Sequence, residues 1–164
     1  MSNKEVTFLG RTVDNRDMME WIASVDAWDY CDGSLLAKLV LKSDIPPAYR
    51  PLIASIIDGS RKQKVKAAAH LKIPANERMY IAETISMNLG LISEFKTAKL
   101  SEGETLLEHQ ADKEGIEPID VKRWLENRAM EIKQDAADQL GVSLQTIENL
   151  LRDFRYKLAN FPDV

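Results

Sequence analysis

AADQLGVSLQTIENLLRD, residues 136–153, has the spacing of two helices joined by a tight turn. Ala137 supplies a small side chain where two helix backbones have to approach. Four residues on, Gly141 can adopt the left-handed conformation that ends a helix, at no steric cost. Val142 can plug the corner, and Ser143 stands where a hydroxyl caps the first N–H groups of a new helix. Ile147 and Leu150 then fall on the inward side, in a seam with Leu140. The opposite side holds Gln145, Thr146, Glu148, Asn149 and Arg152. A plain helix hairpin, with Gly141 only a C-cap and Ile147 and Leu150 only core, satisfies the same spacing.

The rest of the chain reads as mainly α, a multi-helix fold ending in this pair, with a possible short strand or hairpin in EVTFLGRTV near the N-terminus. From Asp17 the apolar residues Met18, Trp21, Ile22 and Val25 recur at three and four and predict one apolar helix face. Ser34 is a candidate cap for LLAKLVLKS. DIPPAYRPLIASIIDGS predicts a proline-initiated helix that buries Leu52, Ile53, Ile56 and Ile57 and ends at Gly59. A further helix is expected from a cap at Asn76, through Met79, Ile81, Ile85 and Leu89, to a stop at Gly90, with another around Leu91 to Lys99. The division expected is residues 1–100, a dimerisation or regulatory part, and residues 101–164, the part carrying the motif.

LEHQADKEGIEPIDVKRWLE, residues 107–126, echoes the motif without gaps. Ala111 aligns with Ala137, Gly115 with Gly141, Val121 with Ile147 and Trp124 with Leu150, and Pro118 suits the first turn of a helix. Its polar face, Glu117, Asp120, Lys122 and Arg123, is too acidic to approach phosphates comfortably. From Ile119 to Leu140 there is no glycine or proline, so one long helix is expected there, its end forming the first helix of the second unit. The echo reads as a structural or degenerate copy, with a second working reader as the alternative.

Residues 133–152 resemble the helix-turn-helix of bacterial and phage DNA-binding proteins, over about twenty of the 164 residues. That resemblance implies double-stranded DNA as partner, read in the major groove by the helix starting near Ser143, with transcriptional regulation as its use. The DNA-contacting residues it implies are Ser143, Gln145, Thr146, Asn149 and Arg152, with Arg155 and Lys157 on phosphates. A homodimer is expected, because one recognition helix touches too few base pairs to be selective.

The formal net charge of −4 has the wrong sign for a phosphate polymer. Attraction is local, however, since charges beyond a Debye length of about 8 Å are largely screened. Besides Arg152, Arg155 and Lys157, the acid-free stretch Arg61–Lys72 holds Arg61, Lys62, Lys64 and Lys66, a possible basic arm or a solvated linker. Against these, residues 101–120 carry seven acids and the single base Lys113.

Neither an enzyme nor a cofactor is expected. The two histidines, His70 and His109, stand 39 residues apart, and no GxxxxGK[ST], GxGxxG or GxSxG motif occurs. Asp26, Asp29 and Asp32 could bracket a cation, but read more simply as solvated acids at a helix end. A single cysteine, Cys31, no secretory pattern and no apolar run near ~18 residues fit a cytoplasmic protein with no membrane partner. The competing reading is a helical protein–protein adaptor or antitoxin-like binder that does not touch DNA.

Overall fold

Apolar residues repeating at three and four through most of the chain form helices. The computed structural model describes residues 6–8, 11–13, 15–64, 72–100 and 103–160. Among these are seven α-helices: α1 (Asn15–Asp29), α2 (Ser34–Lys42), α3 (Arg50–Ile57), α4 (Arg78–Thr97), α5 (Leu106–Glu114), α6 (Pro118–Leu140) and α7 (Leu144–Asn160). The β-prone N-terminal run forms a two-stranded antiparallel hairpin, β1 (Val6–Phe8) and β2 (Arg11–Val13), with Thr7 opposite Thr12. No described helix is long and apolar enough to cross a membrane.

The chain divides into two compact units, Met1–Glu83 with Glu148–Val164, and Thr84–Ile147. This division does not follow a boundary near residue 100, because most of α7 belongs with the N-terminal residues.

In the first unit α1 packs on α2, and residues Trp21 to Ala27 within it are all buried. A single apolar face was expected, yet Ser24, Asp26 and Asp29 are buried together with Trp21, Ile22, Val25 and Ala27. Ion pairs make the burial of Asp26 and Asp29 tolerable, as described below. Trp21 stacks on Tyr49 with ring centroids 5.3 Å apart. Burial there pushes the Tyr49 hydroxyl up to about 12. The proline-rich segment forms a 3-10 turn, Pro47–Tyr49, before α3, which buries Ile53 while Leu52 and Ile56 are half-buried and Ile57 is exposed. With only eight residues, α3 has room for a narrow buried stripe. The cap of α2 also differs from expectation: Ser34 makes no cap, and its own N–H and hydroxyl donate to Asp32 Oδ1. Those two hydrogen bonds hold the Asp32 carboxyl below its ordinary value.

In the second unit Ala111, Val121 and Leu125 are buried against Ile92, Phe95 and Leu107. α4 runs unbroken through Gly90 to Thr97, where the sequence suggested two helices. A glycine in a helix costs about 1 kcal/mol, less than burying one large apolar side chain returns, and Ile92 and Phe95 beyond it are packed. Thr105 and Glu108 form a reciprocal capping box at the start of α5.

Candidate nucleic-acid interface

α6 ends at Leu140, and its cap, Gly141, lies in the left-handed region at φ 62° and ψ 36°. The Gly141 N–H donates to Asp138 O at 3.2 Å and the Val142 N–H to Ala137 O at 2.9 Å. These bonds satisfy carbonyls that the helix end would otherwise leave open. The Ser143 hydroxyl accepts the Thr146 N–H at 3.2 Å and lies 3.0 Å from the Thr146 hydroxyl, starting α7. Ala137 and Ile147 are fully buried, and Leu150, Leu151 and Phe154 are nearly so.

The same turn occurs at the echo. Gly115 adopts φ 66° and ψ 35°, its N–H donates to Asp112 O, and the Ile116 N–H reaches Ala111 O at 3.0 Å. α6 then begins at Pro118, and Ala111 and Val121 are buried like their counterparts. Trp124 departs from the pattern: Leu150 is 1% exposed and Trp124 is 63% exposed.

A third copy joins α1 to α2. Cys31 stands in the glycine position at φ 69°, its N–H donates to Trp28 O, and the Asp32 N–H reaches Ala27 O at 2.8 Å. Ala27 is fully buried, like Ala111 and Ala137. No glycine marks this turn; the signal that could have found it is the alanine four residues before a helix break.

Of the DNA-contacting residues expected, Ser143, Gln145, Arg152 and Arg155 are exposed, while Thr146 and Asn149 are half-buried. At about 100° per residue, Gln145, Glu148, Arg152 and Arg155 share the outward face of α7. Tyr156, 69% exposed, lies on the same face and was not among the residues singled out from the sequence. Arg155 Nε also donates to Leu151 O at 3.3 Å.

Lys157 is not on that face. It is 6% exposed, its ammonium 2.5 Å from Asp26 Oδ1 and 3.6 Å from Asp29 Oδ2, so it is not placed to meet phosphates. Asp26 and Asp29, expected as solvated acids, are its buried partners. Among the described residues no group of three or more histidine, cysteine or acidic side chains could hold a metal ion.

The basic arm is docked where it is described. Arg61 Nε and Nη2 grip Asp29 at 2.8 and 2.7 Å, and the Lys64 ammonium sits 5.1 Å from the centroid of the Tyr30 ring. The Lys64 N–H donates to Asp29 O, and Gln63 Nε2 to Trp28 O. Lys62 is exposed; Lys66 lies outside the described residues, as does His70.

Comparison of the chain with protein-family models, with curated proteins and with solved structures gives no match.

Proposed function

We propose that this chain is a sequence-specific DNA-binding protein, a transcriptional regulator that reads the major groove with the first turns of α7. The observation that carries the reading is the Gly141 turn, with Ala137 and Ile147 buried inside it and Gln145, Arg152 and Arg155 turned outward beyond it. Gln145 and Asn149 have the bidentate amide that pairs with adenine N6 and N7. Arg152 and Arg155 supply local positive charge, and Tyr156 can donate its hydroxyl to a phosphate or pack on a sugar. A cytoplasmic homodimer would place two such helices on half-sites one helical turn apart.

The test is selection from a random duplex pool by the full chain at low salt, followed by anisotropy on the enriched sequence. Enrichment of a two-fold related site supports the proposal; a pool that stays random contradicts it.

One observation favours the protein-adaptor reading. Trp124 stands exposed on α6, as do Ile116 and Ile119 near the turn before it, and exposed aromatic and aliphatic side chains are common protein-contact anchors. A folded chain that enriches no sequence from the random duplex pool would select that reading.

A further inference from the structure

Six charged side chains meet inside the first unit. Asp26, fully buried, accepts from Lys157 Nζ at 2.5 Å and from Arg78 Nε at 3.1 Å. Arg78 Nη2 also donates to Asp153 Oδ2 and to the Tyr30 hydroxyl, both at 3.1 Å, and its guanidinium carbon lies 4.0 Å from the Tyr30 ring centroid. Asp29 joins Lys157 to Arg61. The carboxylates of Asp26, Asp29 and Asp153 thus balance the cations of Arg61, Arg78 and Lys157.

Such a network is a poor way to gain stability. Withdrawing Asp26, Asp29, Arg78 and Lys157 from water is costly, and well-packed apolar residues of similar volume often stabilise as much or more. What apolar packing does not supply is direction. A charged hydrogen bond holds over a narrow range of distance and angle, whereas apolar contacts tolerate sliding and rotation. Two of the six groups, Asp153 and Lys157, stand one turn apart on the inner side of α7 and are held by different partners. Asp153 is held by Arg78 at the first residue of α4, and Lys157 by Asp26 and Asp29 near the end of α1.

We infer that this network is a positioning clamp: it sets the rotation and register of α7 against α1, and thereby the aim of Asn149, Arg152 and Arg155. The inference rests on the DNA-reading function proposed above for that face. Asp26, Arg78, Asp153 and Lys157 are positioning residues within it, acting through α7 rather than by touching DNA.

The experiment replaces the central pair by apolar residues, Asp26→Leu with Lys157→Met, and separately makes the milder Asp153→Asn. Each protein is measured for thermal midpoint, for amide exchange in residues 150–158, and for affinity on the selected duplex against a scrambled one. For the double variant, which also takes the carboxylate from Arg78 Nε, the expected result is a folded protein with a lower midpoint and with exchange in 150–158 accelerated more than elsewhere in the first unit. Its preference for the selected duplex should fall about tenfold or more, the share of one bidentate base contact, while binding to scrambled DNA is kept. Asp153→Asn should move preference and exchange the same way by less. Unchanged exchange and preference in a folded double variant overturn the clamp. If the double variant does not fold, Asp153→Asn decides by the same readouts. If the wild type prefers no duplex, the DNA reading fails, and exchange in 150–158 alone decides the clamp.

Discussion

Lys157 and Arg155 are two residues apart in RDFRYK, and replacing each by alanine separates their roles. Lys157→Ala leaves Asp26 buried without its ammonium partner and should cost about 3–5 kcal/mol in urea unfolding. Arg155→Ala, at an exposed site, should stay within about 0.5 kcal/mol. Equal effects would contradict the buried pairing. Composition places lysine on surfaces, and the partner of this one lies 131 positions away, so nothing local in the sequence announces it. Glu83 offers a pH test. Burial raises its carboxyl above the ordinary value, so the folded protein loses stability as pH rises through that raised value. Below the unfolded value of about 4.3 the group is neutral in both states and the loss is absent. Glu83→Gln should therefore stabilise at pH 7, and the gain should vanish at pH 3. A gain equal at both pH values would rule out the burial effect as its cause.

The repeated turn is the element whose cost can be measured three times. A Cβ added at Gly115 or Gly141 meets no atom within 4 Å, so an alanine at either pays only for its left-handed backbone. Gly115→Ala and Gly141→Ala should each destabilise by about 1–2 kcal/mol. Cys31→Gly is the reverse change at the equivalent position, exposed and at φ 69°, and should stabilise by about 1 kcal/mol. Destabilisation by Cys31→Gly would mean that its turn is not equivalent to the other two. Turns at Gly115 and Gly141, and the long helix between them, were legible because glycine chemistry and helical spacing are local. Gly90 misled because tertiary packing carried α4 through it. The burial of Asp26 and Asp29 on α1 was hidden because the two look like a solvent face until their partners from other elements are known. At Trp124 the alignment with Leu150 gave the position and not its environment, which depends on what covers each helix.

At the scale of the molecule, an acidic chain is proposed to hold a polyanion through a few local cations. With Lys157 turned inward and Arg61 held by Asp29, the positive charge left on the outward face of α7 is that of Arg152 and Arg155. The electrostatic share of binding should then be small and the base-reading share decisive. A salt titration of wild type, Gln145→Ala and Arg155→Ala on the selected and scrambled duplexes tests this most directly. Gln145→Ala should weaken binding to the selected duplex by about 1–3 kcal/mol and leave the scrambled duplex nearly unchanged. Arg155→Ala should weaken both and flatten the plot of log affinity against log salt by about 0.9 for each phosphate that is no longer neutralised. Equal weakening on both duplexes for Gln145→Ala, or no binding by the wild type at low salt, would contradict the claim that α7 reads DNA.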